Sequence, residues 1–280
     1  MNNFYELIDS GEGRRFEKWG DFTLDRPDPQ IIWKKTLPQA DWQMADAFFE
    51  RITENKGAWN KRNEIPEKWI LEHEGVKFYA KLSPFKHTGI FPEQATQWDY
   101  VYKMIKSTKK EVNILNLFAY TGIASLFAAK AGAKVTHVDA SRPAVTWANE
   151  NRALNAKDWP IRWIIDDAIE FTAREIKRGV KYDAIIMDPP AYGHGPTGEV
   201  WDFNRDFPKL LENCGQLLSE NPLFVLVNAY AISSSSITLA NTLNDAFGKF
   251  GGHIENGELT LKETSGGRLL STGIWARWSK

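Results

Sequence analysis

From about residue 110 onward, short apolar runs alternate with segments of helical periodicity, and this alternation limits the possible folds more than any other feature. Strands separated by helices lie side by side in a parallel sheet, because each helix returns the chain across one face of the sheet. We predict five such strands: "VNILNLF" (112–118), "KVTHVD" (134–139), "IRWII" (161–165), "YDAIIMD" (182–188) and "LFVLVN" (223–228). The predicted helices between them are "GIASLFAAKAG", "RPAVTWANENRALN", "AIEFTAREIKRG" and "DFPKLLENCGQLL".

The end of the chain adds an antiparallel element to this pattern. "SSSSITLANTLNDAFGKF" starts with serines that suit a helix cap. "GELTLKET" and "LLSTGIWARW" then read as two strands that pair across "SGGR", and strands joined by so short a connection are antiparallel. The complete pattern predicts an α/β fold with a seven-stranded mixed sheet.

Residues 1–84 lack the alternation and are predicted to form a small α+β subdomain. The expected strands are in "RRFEKWGDFTLDRP" (14–27) and "IIWKK" (31–35), the expected helix is "DWQMADAFFERITEN" (41–55), and "WILEHEGVKFYAKLS" (69–83) is an expected hairpin centred on Glu74-Gly75. The larger domain is expected over 85–280, with a helix starting at about Pro92.

The composition of the chain limits where the protein can be located, whether it binds a metal and what kind of partner it can have. No apolar run reaches the roughly 18 residues of a membrane span, and the first residues show no signal-peptide pattern. A single cysteine excludes an internal disulfide, so we expect a cytoplasmic protein. The five histidines are scattered without metal-ligand spacing, so no metal site is expected. A net charge of -1 means that an RNA substrate would need a local basic patch; the oligomeric state stays open.

A first candidate binding loop, "NLFAYTG", lies between the first parallel strand and its helix. Ligands of open α/β sheets bind outside the carboxyl ends of the strands, where this loop lies. The loop has one glycine and matches neither G-x-G-x-x-G nor a phosphate loop, so a ligand without phosphates is favoured over a dinucleotide. The alternative is an ordinary strand-to-helix turn. The candidate residues are Asn116, Phe118, Ala119, Tyr120, Thr121 and Gly122.

Acidic residues end the next two strands. Asp139 can accept hydrogen bonds from two ribose hydroxyls. Asp166 or Asp167 can accept from an adenine amino group, or can cap the helix that follows. A loop for an amino-acid moiety, an acid for ribose and an acid for adenine together describe S-adenosylmethionine. The cofactor candidates in these two loops are Asp139, Ala140, Ser141, Asp166, Asp167 and Ala168.

The stretch "MDPPAYGHG" follows the fourth strand and suggests the substrate site. Asp188 ends the strand beside the cofactor crevice, while Pro189 and Pro190 stiffen the turn so that its carbonyls can face a substrate. Tyr192 can lie flat against a planar group, and "GHGPTG" (193–198) can move as a flap. The alternative is a rigid turn followed by a loop without function. Asp188, Pro189, Pro190 and Tyr192 are the catalytic candidates, with Asp188 also facing the cofactor.

In order along the chain, "GIFPEQA", "NLFAYTG", "VDASRPAVTWANENRALN", "DDAIEF", "DPPAY" and "FNRDFPKLL" resemble motifs of the class I S-adenosylmethionine-dependent methyltransferases that modify large-subunit ribosomal RNA. The resemblance implies a Rossmann-like methyltransferase domain over 85–280, S-adenosylmethionine as the cofactor and ribosomal RNA as the partner. It also implies that Gln94 lies over the cofactor. Residues 1–84 resemble the short β-rich subdomain that precedes the catalytic domain in that family.

Two departures bear on the reaction. The cytosine-C5 members of the family use a cysteine after the fifth strand, whereas this chain has "VNAYAISSSS" there. The only cysteine, Cys214, lies in a leucine stripe of helical spacing and is expected in the core. Asn228 resembles the guanine-N7 members instead, which implies direct transfer without covalent help. Ala191 separates the prolines from Tyr192, so methylation of an exocyclic amine is not favoured. His194 and Asn228 join Tyr192 as substrate-binding candidates.

Two other functions remain open at this point. A methyltransferase with the same fold could act on a small molecule or a protein. A cofactor-binding scaffold without catalysis is the third possibility. Asp188, both prolines and Tyr192 argue against the scaffold, because cofactor binding alone does not require that turn.

Overall fold

The computed structural model describes residues 4–53, 56–84, 86–156 and 158–280. The chain divides into two compact units, one of Met1–Glu93 with Thr260–Leu270 and one of Gln94–Leu259 with Ser271–Lys280. This division falls nine residues later than the predicted boundary at 84/85 and adds a C-terminal segment to the first unit. The segment belongs there because the backbone nitrogens of Thr264 and Ser265 donate to Leu7 and Ile8, both at 2.9 Å. The predicted domain boundary stays a prediction.

The first unit contains a five-stranded sheet and a separate hairpin. The sheet has the order β1-β2-β3-β4-β5, with β3 and β4 parallel and its other neighbours antiparallel. The elements are β1 (Tyr5–Gly11), β2 (Arg14–Trp19), β3 (Phe22–Pro27), α1 (Gln39–Trp42), β4 (Ala47–Thr53), β5 (Lys56–Lys61), β6 (Trp69–His73) and β7 (Val76–Ala80). The hairpin of β6 and β7 confirms the predicted turn, since Glu74 and Gly75 both have positive φ (46° and 71°), as a tight type I′ turn requires.

Two predictions for this unit are wrong. The predicted helix over 41–55 is replaced by α1 and by β4, in which Ala47 and Phe49 are buried while Phe48 between them is half-buried. Aromatic and β-branched residues in such an alternation favour a strand; residues 54 and 55 lie outside the described part. The predicted strand "IIWKK" pairs with no strand. Instead, the carbonyls of Ile31 and Trp33 accept from the turn between β1 and β2, at Gly13 and Glu12, both at 2.7 Å.

The second unit is built on the predicted seven-stranded mixed sheet, which is confirmed. Its order is β10-β9-β8-β11-β14-β16-β15, parallel from β10 to β14 and antiparallel between β14 and β16. The strands are β8 (Asn113–Leu117), β9 (Lys134–Asp139), β10 (Ile161–Ile165), β11 (Ala184–Met187), β14 (Phe224–Ala229), β15 (His253–Lys262) and β16 (Leu269–Ser279). A short hairpin of β12 (Tyr192–His194) and β13 (Val200–Asp202) forms a sheet of its own.

Helices cover both faces of this sheet, because alternate strand residues point to opposite faces. On β11, Ile185 and Met187 pack with the last three helices of this unit, at 168–177, 203–217 and 236–247. Ala184 and Ile186 pack with its first two helices, at 95–107 and 123–130. The helices are α2 (Ala95–Ser107), α3 (Ile123–Lys130), α4 (Arg142–Ala153), α5 (Ala168–Lys177), α6 (Phe203–Leu217) and α7 (Ser236–Phe247). Ser235 caps α7 through the backbone nitrogen of Thr238, which confirms the predicted serine cap. Among the described residues, no helix is both long and apolar enough to cross a membrane.

Candidate functional site

The predicted site residues of the second unit gather at the carboxyl edge of the sheet. The chain runs from β8 outward through β9 to β10 and then crosses back to β11 on the other side of β8. This reversal opens a crevice at the ends of β8 and β11, where ligands of open α/β sheets bind. The residues that end or follow the five parallel strands lie at this edge: 118–122, 139–141, 166–168, 188–192 and 228–230.

The loop after β8 has a fixed and unusual backbone. Phe118 and Tyr120 have positive φ (53° and 47°), which is uncommon for residues with side chains and costs energy. The Tyr120 nitrogen donates to Asp139 Oδ2 at 2.8 Å, and the Ala119 nitrogen donates to the Val138 carbonyl at 3.1 Å. The loop is therefore shaped by β9 before any ligand binds.

Gly122 closes this loop at the start of α3 with a φ of 82°. A Cβ at this position would lie 2.8 Å from Ala148 Cβ and 3.3 Å from His137 Cε1. Both the backbone angle and the lack of space therefore require glycine. Thr121 beside it is buried, and its carbonyl accepts from Asn151 Nδ2 at 2.9 Å.

Asn116 lies beneath the loop. It is buried on β8, and its Nδ2 donates to Ser125 Oγ at 2.9 Å; Ser125 Oγ also lies 3.1 Å from His137 Nδ1. Burial lowers the pKa of His137 to about 3, so the ring is neutral. This network fixes the first turn of α3 to the sheet. Sequence reasoning missed Ser125 and His137, although His137 stands two residues before Asp139 and so on the same face of its strand.

Asp139 is half-buried at the end of β9, and its carboxylate already holds two backbone groups. Its Oδ2 accepts from Tyr120, and its Oδ1 accepts from the Ser141 nitrogen at 2.8 Å. Burial raises the pKa of Asp139, and the two backbone hydrogen bonds act in the opposite direction. Each carboxylate oxygen has a further lone pair, so the group can still accept from ribose hydroxyls. Ala140 lies between Asp139 and Ser141. Ser141 Oγ caps α4 by accepting from the Ala144 nitrogen.

The two acids after β10 have different tasks. Asp167 Oδ1 accepts from the backbone nitrogens of Ile169 and Glu170, at 2.8 and 3.0 Å, and so caps α5, whose first residue is Ala168. Asp166 forms an ion pair with Arg174 and accepts from the Asp167 nitrogen at 3.0 Å. The capping alternative is confirmed for Asp167, and a contact of either acid with adenine stays a prediction.

Asp188 lies at the end of β11, next to the loop at 118–122, which is called the cofactor loop below. Its backbone nitrogen donates to the Leu117 carbonyl at 3.3 Å, and its Oδ2 accepts from Gln94 Nε2 at 2.7 Å. The same Nε2 donates to Tyr230 Oη at 3.0 Å. Tyr230 was not singled out from the sequence, because nothing in its neighbourhood along the chain shows that it meets Gln94.

The carbonyls of the proline turn were expected to face a substrate; two of them already accept hydrogen bonds within the protein, and a substrate contact stays a prediction. Trp201 Nε1 donates to the Pro190 carbonyl at 2.7 Å, and the Phe203 nitrogen donates to the Ala191 carbonyl at 3.0 Å. The Trp201 ring is buried and lies 4.9 Å from the Phe118 ring. Trp201 thus contacts both the proline turn, at Pro190, and the cofactor loop, at Phe118. The sequence did not suggest this role.

Tyr192 and His194 lie on the outer face of the hairpin that the turn enters. Tyr192 is 58% exposed, and its ring meets the His194 ring edge-on at 5.4 Å. Arg205 Nη2 donates to the Val200 carbonyl and pairs with Asp206, so the start of α6 holds the hairpin. The segment 193–198 is thus part of a β-hairpin rather than an open loop, and its movement as a flap stays a prediction.

Asn228 and Cys214 differ sharply in what they can reach. Asn228 is buried on β14, one residue past the pair of Val227 with Met187, and its Oδ1 has no hydrogen-bond partner among the described residues. Cys214 is fully buried in α6, and its thiol contacts the Met187 sulfur at 3.9 Å. Burial raises the pKa of this thiol well above its usual range. The core position that we predicted for Cys214 agrees with the structure.

The polar groups at this edge suit the three parts of S-adenosylmethionine. The structure groups no three His, Cys, Asp or Glu side chains into a metal-binding cluster within its described ranges. The shaped loop at 118–122, the Asp139 carboxylate and the acids after β10 supply polar groups along one edge. These are the groups that an amino acid, a ribose and an adenine need.

Comparisons with known proteins agree with this geometry. The family model for S-adenosylmethionine-dependent methyltransferases matches residues 50–257. The crystal structure of the SAM-dependent methyltransferase from Agrobacterium tumefaciens superposes on this chain with a TM-score of 0.96 and 39% sequence identity. The match covers 100% of this chain and 91% of that protein. Ribosomal RNA large subunit methyltransferase K/L of Shewanella frigidimarina is 34% identical over 62% of this chain, which spans 24% of that relative. Ribosomal RNA large subunit methyltransferase K of Neisseria meningitidis is 27% identical over 61% of this chain, which spans 48% of it. The chain therefore belongs to the S-adenosylmethionine-dependent methyltransferases, and S-adenosylmethionine is its cofactor.

Proposed function

We propose that the chain transfers the methyl group directly to a base of RNA, with ribosomal RNA as the favoured substrate, in the cytoplasm. Two of its relatives carry ribosomal RNA in their names. The observation that carries the direct mechanism is the position of Cys214, since a fully buried thiol with a raised pKa is a poor nucleophile.

Each candidate residue has a role in this reaction. The loop at 118–122 holds the methionine moiety, Asp139 the ribose and Asp166 the adenine. Asp188 accepts hydrogen bonds from the target base, and Tyr192 stacks on its face. The unpaired Oδ1 of Asn228 offers a further acceptor at the same edge of the sheet. A base within a helix would have to leave its stack to reach this edge.

Catalysis then consists mainly of positioning. Bound S-adenosylmethionine would supply an electrophilic methyl group, and its sulfur would keep the electron pair of the carbon–sulfur bond that breaks. Asp188 and Tyr192 would hold a nitrogen of the base in line with that bond, and the methylated base would take up the positive charge or release a proton. Holding the two reacting atoms in line removes much of the entropic barrier.

The net charge of -1 favours a second candidate, a methyltransferase for a small molecule or a protein. Nucleoside mass spectrometry of ribosomal and transfer RNA from a strain that lacks the gene separates the two. We expect one methylated nucleoside to disappear, and its identity gives both base and atom. An unchanged nucleoside profile would favour the second candidate.

A further inference from the structure

Gln94 joins the ends of two strands through a single amide nitrogen. Its Nε2 donates to Asp188 Oδ2 at 2.7 Å, after β11, and to Tyr230 Oη at 3.0 Å, after β14. We propose that Tyr230 is a positioning residue for methyl transfer: its hydroxyl fixes the Gln94 amide, and the amide fixes the Asp188 carboxylate. The inference rests on the role proposed above for Asp188.

The hydrogen-bonding capacity of the amide supports this arrangement. An amide NH₂ group has two hydrogens, and an ionised carboxylate only accepts. With one hydrogen on Asp188 and the other on Tyr230, both donors of Gln94 are in use. If the amide rotated by half a turn, its Oε1 would face the Asp188 oxygen, and the two acceptors would repel each other. The Asp188 carboxylate therefore selects this orientation of the amide, and the Tyr230 hydroxyl, which accepts the second hydrogen, holds the amide in place beside it.

The place of the Tyr230 ring is itself fixed by the sheet. Strand β16 lies beside β14, with Ala229 opposite Ile274. A Cβ on the adjacent Gly273 would lie 2.8 Å from Tyr230 Cδ1 and 2.9 Å from Cε1. The strand thus passes directly against the ring, and this contact is possible only because residue 273 has no side chain. Both the packing of the ring and the hydrogen bond thus hold the Tyr230 hydroxyl beside Gln94.

Burial makes the arrangement effective. Gln94 is 8% exposed, so water cannot readily replace either contact. Loss of one such hydrogen bond costs a net factor of roughly five to ten in an equilibrium or a rate. The cost should appear in turnover, because the carboxylate that loses its orientation faces the substrate.

The test is a double-mutant cycle of Tyr230→Phe and Gln94→Met, assayed with labelled cofactor on ribosomal RNA from the strain that lacks the gene. Tyr230→Phe keeps the ring against Gly273 and removes only the hydroxyl. We expect its kcat to fall about five- to tenfold, with the Kd for S-adenosylmethionine within about twofold of the unmodified value. The double variant should be no slower than Gln94→Met alone, because the hydroxyl acts through the amide.

Tyr182→Phe is the matched control. It also removes a tyrosine hydroxyl from this unit, one that donates to Glu175 Oε2 at 2.7 Å near the amino end of β11. It should lower the melting temperature and leave kcat unchanged. The inference would be overturned if the losses of kcat in the two single variants added up in the double variant. It would also be overturned if a weaker affinity for S-adenosylmethionine accounted for the slower turnover of Tyr230→Phe.

If the unmodified enzyme methylates no RNA, the proposed substrate fails, and crystal structures with S-adenosylhomocysteine decide the inference instead. In Tyr230→Phe the Gln94 amide should turn and its contact with Asp188 should lengthen beyond hydrogen-bonding distance. An unchanged Gln94 amide and Asp188 carboxylate in that variant would show that Tyr230 has no positioning role.

Discussion

Among the residues of the site, Gly122 cannot carry a side chain. Its φ of 82° disfavours other residues, and a Cβ would lie 2.8 Å from Ala148. We expect Gly122→Ala to distort the cofactor loop and to weaken S-adenosylmethionine binding about tenfold or more, measured by isothermal titration calorimetry. Gly132→Ala is the control, because Gly132 also has a positive φ but nothing lies within 4 Å of its Cβ position. Equal affinities of the two variants would contradict the role of the close contact.

Cys214 is the residue that separates a direct from a covalent mechanism. Because its thiol packs against Met187 in the core, Cys214→Ala should keep full methyl transfer. The free energy of unfolding should fall by about 1 kcal/mol, since a small buried group is removed. Urea unfolding and a transfer assay check the two halves of this prediction. Loss of transfer with intact folding and cofactor affinity would restore the covalent cytosine mechanism.

At the scale of elements, β8, β9 and β10 carry a row of side chains beneath the cofactor loop. Asn116, His137 and Trp163 are direct neighbours across the three strands, and the first two meet at Ser125 of α3. The His137 pKa of about 3 lies below its value of about 6.5 in an unfolded chain, so the unfolded state binds the extra proton. The stability from the neutral ring is therefore complete above about pH 6.5 and is lost as the pH falls toward 3.

His137→Gln tests this dependence. Between pH 7 and pH 5 the unmodified protein should lose on the order of 1–2 kcal/mol more stability than the variant, measured by urea unfolding at each pH. His87, whose pKa burial lowers to about 4, lies in the other unit and is unchanged in both proteins. Parallel stability curves for the two proteins would show that His137 is already protonated or accessible in the folded state.

The elements differ in how far the sequence determines them. The parallel strands and their helices were predictable, because strand and helix periodicities alternate without ambiguity from residue 112 onward. The segment 41–55 was not, since Trp42, Phe48 and Phe49 suit a helical stripe as well as a strand, and only the pairing of β4 with β3 and β5 selects the strand. The hairpin of β12 and β13 depends on Trp201, whose indole reaches back to Pro190.

The same limit applies to the site. Asp139 and Asp188 could be predicted because each directly ends a strand at the sheet edge. Tyr230 and Ser125 could not, because their partners lie far away in sequence or on another element. Residues that follow strands were visible in the sequence, whereas residues that act through a second side chain became visible only in the structure.

For the whole molecule, the comparisons reach different parts of the chain. The Agrobacterium protein matches all of it, including the first unit, whereas the match to the Shewanella relative covers 62% of this chain and 24% of that relative. The match to the Agrobacterium protein therefore covers the fold of the entire chain, whereas the proposed RNA substrate rests on the part of the chain that the ribosomal RNA methyltransferases share. With a net charge of -1, the proposed recognition of RNA would rest on local contacts at the site more than on the overall charge.

The most direct test of the account measures transfer of a labelled methyl group from S-adenosylmethionine to ribosomal RNA from a strain that lacks the gene. The unmodified protein should label this RNA, and Asp188→Ala should not, although its affinity for the cofactor stays within about threefold. Cys214→Ala should label the RNA as well as the unmodified protein does. Undiminished labelling by Asp188→Ala, or no labelling of RNA by a protein that binds the cofactor, would contradict direct transfer to a base held at Asp188.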